Sequence, residues 1–266
     1  MSRTRQPLVA ASALLLAIAA CSNDSTAPST SDQESADVAA VVGDATAEDV
    51  SLLITHEGLF GQVSSDARRT GPWQGNCPYD AASTRFICPT NSREGLTVSR
   101  SYQLRDASGQ PQSAYSATTT ASANFVATLA ASVARDNFTA TYSRQRNITV
   151  SGLAGAETQH IINGSGSTSN SRSRHTDAGA ARSYSMSSSM TIVDLVIPVP
   201  RAADSWPLSG AITHQVAASR DRAQGDPQSR TRTATVTFNG TQFVPLVVGD
   251  RTFTLDLATG KRAAND

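Results

Sequence analysis

Four pairs of arginines spaced two residues apart, Arg144/Arg146, Arg172/Arg174, Arg220/Arg222 and Arg230/Arg232, are the densest set of groups in this 266-residue chain able to do chemistry. A guanidinium grips a phosphate, sulfate or carboxylate through parallel N–H donors, and residues i and i+2 of a strand share one face. Neighbouring strands could gather Arg144, Arg146, Arg230 and Arg232 into a candidate anion-binding cluster for the charged groups of a lipid or polysaccharide. The same spacing also suits the border of an apolar face, which the aliphatic stems cover while the heads reach water. An acidic segment of the chain itself lying against the arginines would satisfy them equally.

Other chemistry is sparse. His56, His160, His175 and His214 are scattered and make no two-ligand spacing. His56-Glu57 opens like a zinc-protease motif, but no second histidine follows at the required place. Gly-x-Ser-x-Gly, Ser-x-x-Lys and phosphate-loop patterns are missing from the sequence. No catalytic residue, metal ligand or cofactor is therefore expected. A hydrolase reading would need a cleft in which a histidine and an acid converge.

Residues 1–21 divide into a basic start with Arg3 and Arg5, an apolar stretch from Leu8 to Ala20, and Cys21. The stretch is too short to remain as a permanent helix across a bilayer core of about 30 Å, so residues 1–20 read as a removable signal peptide. Ile18-Ala19-Ala20-Cys21 resembles the lipobox of bacterial lipoproteins. That resemblance implies a lipid on the Cys21 thiol, cleavage before it, and attachment of the mature chain to a membrane by two or three acyl chains. Ser22 stands where enteric bacteria place an inner-membrane retention signal, which favours the outer membrane. The expected location is the cell envelope.

Export also bears on the two other cysteines. Thiols oxidise outside the cytoplasm, and Cys77 and Cys88 bracket a segment with an Asp-Ala-Ala-Ser turn, so a disulfide is expected. A metal site is disfavoured by the lack of Cys-x-x-Cys spacing and of a histidine nearby in sequence.

Zero net charge conceals an asymmetry. Residues 22–67 carry nine Asp or Glu and no Lys or Arg, whereas residues 68–266 carry 20 basic and 13 acidic residues. That basic excess is too dilute for a nucleic-acid binder. Residues 21–48, rich in Ser, Thr, Ala and Asp and without aromatics, are expected to be a lipidated disordered tether. Residues 49–266 are expected to be a single β-rich domain.

These elements must position the arginines. Thr46-Ala47-Glu48-Asp49 has the form of a capping box before Val50, Leu53 and Ile54, predicting one short helix near 47–57. From about Arg85 the period becomes two. In 137–151 one face reads Phe138, Ala140, Tyr142, Arg144, Arg146, Ile148, Val150 and the other is wholly polar. Similar runs begin near Leu96, Tyr184, Leu208, Arg230 and Phe253, separated by turn signals such as Asn239-Gly240. Residues 121–134 fit either period, and the alternation of their flanks favours a strand.

The expected fold class is all-β: a long-stranded antiparallel sheet, curved or partly closed into a barrel, with the helix on its apolar side. A transmembrane barrel is opposed by Arg100, Arg144, Arg146, Arg230 and Arg232 on the apolar faces, each costing about 2 to 4 kcal/mol in mid-bilayer. The leading functional expectation is a non-enzymatic, membrane-anchored binding or structural module with a possible lipid or polysaccharide ligand. A lipid carrier with a concave apolar sheet is the alternative, similar only in outline to periplasmic lipoprotein carriers. No protein partner is indicated.

Overall fold

A computed structural model describes residues 30–54, 77–93, 95–135, 138–155, 157–175, 181–200, 205–221 and 228–264. Cys21 and the signal segment lie outside the described residues, as does His56. The one described helix, α1, is Thr30–Ile54. Six strands follow in order: β1 (Tyr79–Asp80), β2 (Arg85–Ile87), β3 (Asn91–Arg93), β4 (Leu96–Asp106), β5 (Pro111–Gln112) and β6 (Thr120–Arg135). The long strands continue with β7 (Phe138–Ser151), β8 (Gln159–His175), β9 (Ala181–Pro198), β10 (Ser209–Asp221) and β11 (Gln228–Thr237). The chain closes with β12 (Phe243–Val248), β13 (Arg251–Asp256) and β14 (Arg262–Ala264).

All fourteen strands belong to one sheet ordered β1-β2-β4-β6-β7-β8-β9-β10-β11-β12-β13-β14, with β3 and β5 also paired to β4. From β6 onward each strand pairs antiparallel with its neighbours in sequence, the topology that short turns dictate. The segment 121–134 is a strand within β6. The sheet does not close: β1 and β14 are its two ends. The expected long-stranded antiparallel sheet is thus formed, and it is not closed into a barrel.

Register aligns the apolar residues into rows across the strands. Phe125, Ile148, Gly164, Ile192, Ile212, Val236, Leu246 and Phe253 are successive Cα partners from β6 to β13. Their side chains other than Gly164 are at most 5% exposed and belong to one core. Ala39, Val42 and Val50 of α1 join that core at 0–1% exposure, so the helix lies on the apolar face.

The helix also shows that the sheet curls. Gly43 lies against Leu255 on β13 and Gly260 in the turn after it, while Asp49 pairs with Arg144 on β7. Six strand spacings of about 4.8 Å would place β7 and β13 about 29 Å apart in a flat sheet. The helix rises only about 9 Å over the six residues from Gly43 to Asp49, and the remainder exceeds the length of an arginine side chain. The sheet therefore wraps around α1. Gly43 is required at the crossing, because a Cβ there would stand 2.9 Å from the Gly260 carbonyl oxygen.

Two expectations about the N-terminal region need correction. The helix begins at Thr30, so residues 30–48, expected in the disordered tether, are helical and the folded body starts well before residue 49. Thr46 is no N-cap but a mid-helix residue at 0% exposure. The buried stripe reads Ser35, Ala39, Val42, Thr46, Asp49 and Val50, with helical spacing. Half of it is polar and the rest is small, so it carries little apolar periodicity.

A bulge on β9 determines which residues point inward. Ile162 pairs with Leu195 but Gly164 pairs with Ile192, and on the other flank Ser209 pairs with Val196 but Ala211 with Val193. One extra residue in β9 switches the inward set from even numbers, Met190 and Ile192, to odd numbers, Leu195 and Ile197, all at most 5% exposed. Val193 is turned outward at 50% exposure. Asn163 spans the irregularity, accepting from the Asp194 backbone N–H at 2.9 Å and donating to the Asp194 carboxylate at 3.1 Å. Gly210 faces it with φ +102°, and a Cβ there would fall 2.4 Å from the Asp194 carbonyl oxygen. Gly210→Ala is accordingly expected to cost at least about 2 kcal/mol, measured by urea denaturation; a neutral result would remove the bulge as a determinant of register.

The Cys77–Cys88 disulfide is formed and closes the base of the β1–β2 hairpin. Phe86 of that hairpin stacks on Tyr102 of β4 with ring centroids 4.6 Å apart. Cys77→Ser with Cys88→Ser should lower the unfolding free energy by about 2 to 3 kcal/mol, read from the denaturant midpoint.

Candidate functional site

Chemistry concentrates on two parts of the sheet. On the inner face, the row next to the apolar one runs Ala127, Arg146, Gly166, Met190, His214, Ala234, Val248. The row beyond it runs Leu129, Arg144, Thr168, Ser188, Val216, Arg232. Here the acidic end of α1 docks.

Arg144 contacts Asp49 through Nη2 and Glu48 through Nη1, the latter at 2.8 Å. Arg146 donates from Nη2 to the second Asp49 oxygen at 3.1 Å and from Nε to the first at 3.3 Å. The Asp49 side chain is 6% exposed and each arginine 12%, whereas Glu48 is 60% exposed. Burial by itself pulls the Arg144 guanidinium down; Asp49 and then Glu48 more than reverse this, leaving it above its ordinary value. Gly166 makes room for the pair, since a Cβ there would lie 2.7 Å from Cδ and Nη1 of Arg146.

His214, 2% exposed, completes the cluster. Its Nε2 lies 3.4 Å from Thr46 Oγ1 and its Nδ1 3.5 Å from Ser188 Oγ. Burial lowers its pKa from 6.5 to about 4; Asp49 opposes that shift, and Arg146 and Arg144 add to it. A serine, a histidine and an aspartate thus converge, but not as a catalytic triad. Asp49 is engaged by the two arginines, and both ring nitrogens face hydroxyls inside the helix–sheet contact.

Half of the expected anion site faces an acidic segment of the chain itself. Arg144 and Arg146 hold a carboxylate, but one that belongs to the chain's own acidic leader. Arg230 and Arg232 lie four strands away on β11, about 19 Å along the sheet, with Arg230 exposed and Arg232 half-buried. The four do not form one cluster. Among the described residues no group of three His, Cys, Asp or Glu side chains could hold a metal ion, and no helix is long and apolar enough to cross a membrane.

The second feature is the outer face of β7–β11, which the alternation marks as polar without pointing to its extent. Registered rows across five strands read Thr141, Ser171, Ser185, Ser219, Ser229; then Ser143, Ser169, Ser187, Ala217, Thr231; then Gln145, Ser167, Ser189, Gln215, Thr233; then Asn147, Ser165, Thr191, Thr213, Thr235. None of these twenty positions is charged or aromatic. Hydroxyls bridge adjacent strands, Thr141 to Ser171 at 2.7 Å, Ser143 to Ser169 at 2.8 Å and Ser185 to Ser219 at 2.6 Å. Each such pair uses one of its two protons, leaving a donor and several lone pairs for an outside partner. A shallow groove of about 400 Å³ crosses the face, lined mainly by Ser143, Gln145, Ser167, Ser169, Ser187, Ser189, Gln215 and Thr231.

No family model, curated protein or solved structure matches the chain.

The inner cluster makes two predictions. Asp49→Asn removes the buried carboxylate shared by Arg144 and Arg146 and should cost about 3 kcal/mol of stability by denaturant unfolding. Because the folded state holds His214 neutral, the unfolded chain binds the extra proton first. Stability is full above about pH 6.5 and declines by about 3 kcal/mol as the pH falls to about 4. Unfolding of the wild type and His214→Gln across that window measures the contribution, and parallel profiles would exclude it.

Proposed function

We propose that this protein is a non-enzymatic envelope lipoprotein module, held to a membrane by lipid on Cys21, that presents its hydroxyl-rich outer face to a neutral, polyhydroxylated glycan. The observation that carries this reading is the lattice of twenty Ser, Thr, Asn, Gln and Ala positions on β7–β11. Nucleic acids demand clustered cations, and protein partners demand aromatic or Arg anchors in a dry centre. A lattice of paired hydroxyls and amides supplies neither. It offers closely spaced neutral donors and acceptors, the complement of a sugar polymer's hydroxyls.

Support for a binding module over a lipid carrier comes from the inner face, which α1 fills with Ala39, Val42 and Val50. The corrected start of the helix also changes the attachment. Only eight residues separate Cys21 from Thr30, so the chain between them spans at most about 30 Å. The body then sits near the headgroups, with its long strands extending the outer face by up to about 60 Å for the eighteen residues of β9.

Cosedimentation with insoluble envelope polysaccharide tests the face. Binding should survive high salt, because no charge takes part. Ser169→Arg with Ser187→Arg should weaken it about tenfold or more, equivalent to about 1.4 kcal/mol, while Arg172→Gln should leave it unchanged. Binding abolished by salt, or indifferent to the serine substitutions, would refute the glycan assignment. Cys21→Ser, examined separately by fractionation, should move the protein from the membrane pellet to the soluble fraction.

A further inference from the structure

The charges that dock α1 are balanced. Arg144 and Arg146 of β7 supply two positive charges, and Asp49 and Glu48 of α1 supply two negative ones. His214 of β10 stands beside them, contacting Thr46 of α1 and Ser188 of β9. On its other flank β11 contributes Ala234 as its register partner and Arg232 one position further along the same face. Among the described residues, a proton on His214 would enter a site that holds the Arg144 and Arg146 guanidinium groups, one buried carboxylate, Asp49, and one exposed carboxylate, Glu48.

We propose that this cluster is a proton-operated latch: uptake of one proton by His214 unbalances the charges at the acidic end of α1 and releases the helix, uncovering the apolar floor formed by β10–β13. The geometry confines the effect to the helix. Among the described residues, Thr46, Glu48 and Asp49 make the polar contacts of the cluster from the α1 side, within one turn. Elsewhere α1 is held through buried Ala39, Val42, Gly43 and Val50 and an Arg262 hydrogen bond to the Ala36 carbonyl at 3.0 Å. The strand residues of the cluster are paired to both neighbouring strands without α1, His214 to Met190 and Ala234 and Arg146 to Ala127 and Gly166. α1 is thus the element with least to lose when the latch opens. The proposal does not depend on what the outer face binds.

Hydrogen exchange on the full chain in detergent tests it, with rates corrected for the intrinsic pH dependence of exchange. Protection of α1 amides should fall about tenfold for each pH unit between about 6.5 and about 4, as linkage to one proton requires, while β8 and β9 amides keep theirs. His214→Gln should abolish the slope in α1. In the wild type, independently of any variant, NMR titration of the His214 ring should share its midpoint with the release of α1. Helix and sheet losing protection in step would mean global unfolding and overturn the latch. So would a slope that survives in His214→Gln, or a ring that titrates while α1 stays protected.

Discussion

A single sheet with a continuous apolar face must cover that face, and among the described residues the cover is one helix. The row from Phe125 to Phe253 crosses eight strands, and each buried aliphatic or aromatic side chain in it is worth about 1.5 to 3 kcal/mol only if water is kept away. A helix is about 10 Å across, so it can serve so wide a row only if the sheet bends towards it. The contacts of Gly43 with the β13–β14 turn and of Asp49 with β7 are the two ends of that bend.

The same requirement explains why charges sit at the end of the trough. Past the apolar row, the inner face changes to Arg146 and His214 and then to Arg144, Ser188 and Arg232. An apolar helix end placed there would bury guanidinium groups without partners. Asp49 and Glu48 fit because they neutralise what the strands present, and Thr46 fits because it meets the ring of His214. Buried ion pairs of this kind contribute more to register than to net stability. Here the registration is of helix against sheet: only one rotation and one depth of α1 brings Asp49 between two arginines while Gly43 clears Gly260.

Covering one face leaves the other free to be polar, and the outer face of β7–β11 is uniformly so. Small hydroxylated side chains cost little entropy to order and pair across strands. They also keep the long strands β6–β11 from presenting apolar surface to other copies. The absence of charge from the twenty registered positions separates this face from the inner one, where the sheet's arginines are concentrated.

Much of this was legible along the chain. The two-residue alternation of 137–151 or 229–238 dictates strands and assigns each side chain to a face, because the pleat admits only that periodicity. Turn residues between the runs dictate antiparallel pairing, and two cysteines bracketing a turn, in a chain expected to be exported, predict the disulfide. The length of α1 was not legible, because its buried stripe of Ser35, Ala39, Val42, Thr46, Asp49 and Val50 is half polar and carries little apolar periodicity. Nor was the change of inward set within β9, which rests on one extra residue seen only against β8 and β10. The sequence by itself determined the strands, their faces and the excess of acid ahead of a basic body. Only the tertiary structure decided that the acid belongs to a helix and that Asp49 answers Arg144 and Arg146. Pairing across 95 residues depends on how the sheet curls, and local periodicity carries no record of that.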